Sequence, residues 1–259
     1  TMNVMIVAKQ DRENLKKAKN LGNYFHDAVY DINTAEKIGE SGSSFEDFKD
    51  GIIITLGGDG TLLWASRYAI SPILPVRTGG VGFLCTTEYL TLIEHIEDVK
   101  NERYFMREVR RLKCNDYHPA LNEIVIARRD ISKIFNLVIT VGKENFEMIG
   151  DGIIFSTSLG STAYAHSAGG PVIDPMLNVI NMVPVSSLSP KIGALVFPIE
   201  REVTVRALKD GILVIDGQWE EEFHHGEKFI IREGEPLKLI LFSEDKFYSK
   251  LKGFLRAYM

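Results

Sequence analysis

The sequence predicts an α/β domain with a parallel sheet over residues 1–100, an antiparallel β domain over 101–240, and a C-terminal helix within 241–259 that returns to complete the first domain. Three observations carry this. Over the first hundred residues, apolar runs alternate with segments of helical period, the β-α-β rhythm of a parallel sheet. After about residue 101 the rhythm changes to short segments separated by turn residues, several of them alternating apolar with polar, which argues for antiparallel strands. The tail then sets Phe247, Leu251, Phe254, Leu255 and Tyr258 on one helical stripe, an apolar face that needs a surface to cover it.

In chain order, VMIVA (4–8) reads as a buried strand and RENLKKAKNLGNYF (12–25) as the helix after it. AVYDI and a short segment near SFEDF follow, then the strand IIITL (52–56) and a helix from about Thr61 to Ala69. PILPV (72–76) is a further strand leading into the Gly-rich TGGVGFL (78–84), and TLIEHIEDVK (91–100) closes the region as a helix. The β domain is built from LNEIVIARR, FNLVITVGKENFEMIGDGIIFST, ALVFP, EVTVRAL, GILVID, EKFIIRE and LKLILF.

At 259 residues with 45% apolar content the chain can fill ordinary cores. A net charge of −5 with both signs interspersed gives no basic field for neutralising phosphates, so no nucleic-acid partner is expected. No apolar run approaches the roughly 20 residues of a membrane helix, and no N-terminal stretch has the layout of a secretion signal. A cytoplasmic protein with no membrane partner is therefore expected. Cys85 and Cys114 are lone thiols that imply neither a disulfide framework nor a zinc site. His224 and His225 are adjacent and would point to opposite faces of a strand, a poor ligand pair, so no protein metal site is expected.

The informative stretch is IIITLGGDGTLLWA (52–65). A strand, a tight glycine turn and a helix start aim free N–H groups and the positive end of a helix at an anion, which makes a phosphate cradle of Gly57, Gly58, Gly60 and Thr61. It is neither a Walker A loop nor G-x-G-x-x-G. Asp59 puts a carboxylate among these glycines. There it could accept a proton from an attacking hydroxyl, help hold Mg²⁺ between phosphates, or do both, and each serves phosphoryl transfer. Asn122 and Glu123 together offer a donor and several acceptors, enough to hold the two hydroxyls of a ribose. Thr162, Ala163 and Tyr164 open what reads as a helix, with small residues that let a base approach and a ring that can stack on it for roughly 1–3 kcal/mol.

Gly57-Gly58-Asp59-Gly60 resembles a signature shared by NAD kinases, phosphofructokinases and diacylglycerol or sphingosine kinases. Leu121-Asn122-Glu123, Gly150-Asp151-Gly152, the run STSLGSTAY (156–164) and Ser167-Ala168-Gly169-Gly170-Pro171 narrow the resemblance to the ATP- or polyphosphate-dependent NAD kinases, over almost the whole chain. The resemblance implies a Rossmann-like first domain and transfer of a phosphate from ATP or polyphosphate, with Mg²⁺, to the adenosine 2′-hydroxyl of NAD. Asp59 would take the proton. Asn122 and Glu123 would grip ribose, Tyr164 and its neighbours the adenine, and Ser167 would add a weaker hydroxyl contact. Asp151 would act, often across a subunit boundary, in a homodimer or homotetramer. Phe83 resembles the aromatic that closes the NAD pocket, and Lys133, Ser186 and Gln218 fall on family binding positions. Two stretches depart from the family pattern. Ser158-Leu159 replaces a Pro and a hydroxyl residue, and PVSSLSP (184–190) replaces Pro-His-Ser-Leu, with no Arg after it.

A lipid kinase of the same superfamily is the enzymatic rival. It is disfavoured because Leu62-Leu63-Trp64 stands where that group carries Asn-Glu, and because no basic amphipathic surface is visible. A non-catalytic dinucleotide sensor would keep Asn122 and Tyr164 but could dispense with Asp59.

Overall fold

In the computed structural model, which describes residues 2–80, 82–188, 193–243 and 246–257 and only the backbone of 254–257, the first strand is β1 (Val4–Ala8), buried at every position. It shows no polar alternation because a central parallel strand is covered on both faces. Helix α1 (Arg12–Gly22) follows, capped by Asp11, whose carboxylate accepts from the Asn14 amide at 2.9 Å. Next come β2 (Ala28–Asp31) and α2 (Ile32–Ile38), where Asp31 accepts from the amides of Asn33 and Thr34. Then follow β3 (Gly42–Ser43), β4 (Ile52–Gly57), α3 (Asp59–Ser66), β5 (Ile73–Arg77) and β6 (Thr87–Glu88). Helices α4 (Tyr89–Glu94) and α5 (Ile96–Lys100) lead to β7 (Phe105–Val109).

One helix is new here and two local expectations are corrected. Helix α2 spans less than two turns, too short for a period to register in the sequence. Helix α3 begins at Asp59 and not at Thr61, because Gly58, in extended backbone at φ −123°, takes the cap position. The helix expected over 91–100 is two helices broken at His95, whose ring bonds Asp98 at 2.6 Å and stacks on Phe242 with centroids 4.8 Å apart.

The middle of the chain is antiparallel. Its strands are β8 (Leu112–Cys114), β9 (Glu123–Arg128), β10 (Phe135–Val141), β11 (Glu144–Gly150), β12 (Gly152–Ser156), β13 (Val179–Val185), β14 (Leu195–Pro198), β15 (Val203–Ala207), β16 (Gly211–Ile215), β17 (Trp219–Phe223) and β18 (Lys228–Glu233). A 3₁₀ turn at Leu159–Thr162 and the one-turn helix α6 (Tyr164–Ser167) sit between β12 and β13. The strands form two sheets, β11-β10-β15-β18-β8 and β14-β13-β12-β9-β16-β17, whose inner faces share a core that includes Phe135, Leu137, Ile124, Ile126 and Phe155. Strand β10 alternates buried with half-buried residues as a one-sided strand should, whereas β12 is buried throughout because α6 covers its second face with Ala165 against Ile154.

The last strand, β19 (Leu237–Leu241), returns to the first sheet, parallel to β5 and antiparallel to β7, giving the order β3-β2-β1-β4-β5-β19-β7 with β6 beside β5. The chain thus divides into one unit of 1–109 with 237–259 and another of 110–236. The first sheet takes residues 105–109 and 237–241 through ladder hydrogen bonds, although the change of rhythm near residue 101 had assigned both to the β domain. Helix α7 (Phe247–Ala257) packs back on the first unit, where the buried Phe247 meets the ring of Phe83 edge-on at 5.7 Å. Tyr258 of the expected stripe lies outside the described residues. No described helix is long and apolar enough to cross a membrane.

Candidate active site

In the first sheet the chain runs outward from β1 to β2 and β3, then returns to place β4 on the other side of β1. Open parallel sheets bind ligands beyond the carboxyl ends of the strands at such a reversal. A cavity of about 660 Å³ lies there, lined by the residues after β1 (Lys9, Gln10, Asp11), by Gly57, Gly58, Gly60 and Thr61 after β4, and by Trp64 of α3. A Cβ on Gly57 would come within 2.2 Å of Thr61 Oγ1, so a larger residue there would force the Thr61 side chain to shift. Gly58 takes the cap position of α3 with no side-chain hydrogen bond, at the positive end of the helix.

Asp59 sits in the first turn of α3 but is not part of the cavity lining. Its Oδ2 accepts from the Phe83 amide at 2.7 Å and its Oδ1 from Leu84 and Cys85 at 2.9 and 3.3 Å. The carbonyls of the same loop accept from Lys250 Nζ of α7, at 2.9 Å for Phe83 and 2.6 Å for Cys85. The loop is therefore held by its amides on one element and its carbonyls on another. A carboxylate offers four lone-pair sites. Three backbone amides use them here, and the Cys85 thiol donates to the same carboxylate. The Cys85 thiol beside it is pushed up to about 12, first by burial and then by the Asp59 charge, so it stays protonated and inert.

In the second unit the structure joins two of the sequence's stretches. Thr157 donates its amide to the Asn122 carbonyl at 2.9 Å and its hydroxyl to the Leu121 carbonyl at 2.7 Å. Gly160 packs so closely that a Cβ would lie 2.1 Å from the Asn122 oxygen, which brings Thr162, Ala163 and Tyr164 next to Asn122 and Glu123. Asn122 and Glu123 are 7% and 5% exposed, and Asn122 Oδ1 and Glu123 Oε2 are buried without a partner. Burial foremost, then the Asp216 charge, pushes the Glu123 carboxyl up to about 8, against the Tyr164 amide, which holds it down. Two orphaned acceptors at one place are a cost unless a ligand donates to them. Tyr164 is half in solvent and Ser167 is exposed at the end of α6. At the departure from the family pattern, Ser158 donates to the Leu177 carbonyl and Leu159 is buried.

Other expected residues lie elsewhere in this unit. Strands β9 and β12 pair Ser156 with Glu123 at one end and Gly152 with Ala127 at the other. Asp151, which pairs with Arg128 at 2.8 Å, is thus five residues from Ser156 along an extended strand, roughly 17 Å away. Ser186, in the left-handed region at φ +49°, follows β13 at that far end. Lys133 is exposed, pairs with Asp130 at 3.3 Å, and lines a separate cavity with Arg128 and Arg129. One chain does not bring these three to Asn122. Gln218 is exposed after the turn from β16 to β17.

Three features escaped the sequence. Asp216 and Gly217, at φ +51° and +63°, make a type I′ hairpin turn, and the buried Asp216 carboxylate accepts the amides of Leu121, Asn122 and Glu123 at 2.8, 2.7 and 3.0 Å. The Asp-Gly pair between two apolar runs signalled the turn, though not its reach across 93–95 residues. Lys250 and the loop after β1 carried no local signal.

The chain matches the ATP-NAD kinase N-terminal domain over residues 4–104 and the ATP-NAD kinase C-terminal domain over residues 121–241. It is 35% identical to the NAD kinase of Methanothermobacter thermautotrophicus over 82% of this chain and 79% of that one, and 33% identical to that of Methanosarcina mazei over 85% and 80%. Its fold superposes on an NAD kinase from Archaeoglobus fulgidus in complex with ATP with a TM-score of 0.80 at 26% identity, covering 99% of each chain. A yeast NADH kinase complexed with NADH shares the fold at a TM-score of 0.89, covering 98% of this chain and 87% of that one at 19% identity. The glycine turn at the sheet reversal, the buried Asn122-Glu123 pair and these matches over both units together assign the chain to the NAD kinase family.

Proposed function

We propose that the chain is an NAD kinase, moving the terminal phosphate of ATP or polyphosphate to the adenosine 2′-hydroxyl of NAD to give NADP. The observation that carries this reading is the Gly57–Gly60 turn at the sheet reversal, where the start of α3 lines a cavity large enough for a nucleotide. In this reading the glycine turn at the positive end of α3 holds the donor's phosphates, and Asp59 takes the proton of the attacking hydroxyl. The orphaned Asn122 Oδ1 and Glu123 Oε2 accept from ribose hydroxyls of the dinucleotide, and Tyr164 lies against its adenine. A Glu123 that keeps its proton near neutral pH can also donate.

Mg²⁺ would enter on the donor's phosphate oxygens, as this ion commonly does in kinase sites, and neutralise phosphate charge there. The 17 Å that separates Asp151 and Ser186 from the Asn122 pocket favours a homodimer or homotetramer in which a neighbouring copy brings them to the dinucleotide. Two buried free thiols suit a reducing, cytoplasmic compartment.

The test is NADP formation by purified protein with NAD, Mg²⁺ and either donor, read through an NADP-specific dehydrogenase. NADP from at least one donor is expected. None from either would overturn the assignment.

A further inference from the structure

The sheet β11-β10-β15-β18-β8 turns one face to the core of the second unit through Leu137, Ile139, Val205 and Phe229. The residues between these point the other way, as strand alternation requires. Register sets two rows on that outer face. In one, Val138 lies opposite Arg206 and Arg206 opposite Lys228; in the next, Asn145 lies opposite Thr140 and Thr140 opposite Thr204. These six residues line a cavity of about 350 Å³.

Arg206 and Lys228 are cross-strand neighbours of like charge, an arrangement that destabilises a sheet when nothing offsets it. Both are exposed, and among the described residues neither side chain has an ion pair or a hydrogen bond. No carboxylate lines the cavity. Glu147, in the same row, stands opposite Val138 and thus two strands from Arg206, about 10 Å away. The Asn145 side-chain oxygen accepts from the Thr140 hydroxyl at 2.7 Å, which leaves the Asn145 NH₂ group to donate. Two cations, an amide donor and the Thr204 hydroxyl around one hollow match an anion with several acceptor oxygens. The strand that carries Glu123 belongs to the other sheet, across the core.

We propose that Arg206, Lys228, Thr204 and Asn145 form a binding site for a phosphate-type oxyanion, on the sheet face turned away from Asn122 and Glu123. Arg206 grips two oxygens with its fork, Lys228 supplies a point charge, and the two neutral side chains add donors. The bound charge relieves the repulsion between β15 and β18. The site does not depend on the kinase reading.

The test is calorimetric titration of inorganic phosphate into the full chain, with sodium chloride at matched ionic strength as the blank, beside thermal melts with and without phosphate. Arg206→Gln and Lys228→Gln should each weaken phosphate binding on the order of tenfold, the loss of one charged donor. Phosphate held at the glycine turn is common to parent and variants and cancels in the comparison. Without phosphate, each variant should melt at or above the parent's temperature, because a like-charge pair is gone. With phosphate, the parent should gain thermal stability by a margin that the variants lack. The KM values for ATP and NAD should be unchanged in both variants. Ribose 5-phosphate in place of phosphate separates an organic phosphate from the free ion as the occupant, and its binding should weaken in the same variants. Equal phosphate affinity in parent and variants, or a response to phosphate no larger than that to chloride, overturns the site. So does a variant that melts below its parent without phosphate, since the two cations would then serve the fold alone.

Discussion

Glu123 allows the most quantitative test of the proposed dinucleotide site. Its carboxyl is 5% exposed and pushed up to about 8 by burial and by Asp216, whereas in the unfolded chain it ionises near 4.5. Between those two values the folded chain holds a proton that the unfolded chain has released. Stability is therefore free of this penalty below about pH 4.5, falls as pH rises to about 8, and then levels off. At 1.36 kcal/mol per pH unit the gap from 4.5 to about 8 sets an upper bound on the order of 4–5 kcal/mol. That is a large share of the roughly 5–15 kcal/mol that holds a typical domain folded. Glu123→Gln keeps the shape and removes the titration. The assay is urea unfolding at a series of pH values, followed through Trp219, which packs on the core of the second unit, in a Trp64→Phe background. Other titrations are shared by the two chains and cancel in the difference. The variant should match its parent near pH 4.5 and exceed it by a few kcal/mol at pH 8 to 9. A flat difference, or a variant that loses stability as pH rises, would refute the buried, proton-holding carboxyl.

Three further substitutions follow from the geometry. Asp216→Asn keeps Oδ1 for the amides of Asn122 and Glu123 but sets an NH₂ against that of Leu121. It should cost about 1–3 kcal/mol in the same unfolding assay and raise the KM for NAD more than it lowers kcat. Gly160→Ala drives a methyl to within 2.1 Å of the Asn122 carbonyl oxygen. A backbone shift costing about 1–3 kcal/mol and weakened NAD binding by calorimetry are expected. Lys250→Met removes both donors to the carbonyls of the loop beneath Asp59. It should lower kcat severalfold in the NADP assay while leaving ATP affinity unchanged.

Much of this was legible in residue order because strong local rules and tertiary structure agreed. The buried run Val4–Ala8 and the turn at Gly57–Gly60 announce themselves over a few residues, as does the alternation of β10. What stayed hidden depends on long-range pairing. Strand β7 is half-exposed for most of its length and gains its place only by pairing with β19. At the break, the His95 ring stacks on Phe242, far along the chain. Among the site residues, Asp59 was visible as a carboxylate among glycines, but not its three amide donors, which come from a loop 24–26 residues away. The strand register decided the rest. It sets Asp151 and Glu123 at opposite ends of one strand pair, a separation that motif order along the chain does not reveal.

The most direct measurement is NADP formation by Asp59→Asn beside the parent chain, with NAD binding measured on both. The asparagine keeps an oxygen for the amides of Leu84 and Cys85, so the loop should hold. Loss of the proton acceptor should lower kcat about 10²–10⁴-fold with NAD affinity retained. Turnover within a few-fold of the parent, or loss of NAD binding in step with activity, would contradict the role given to this carboxylate.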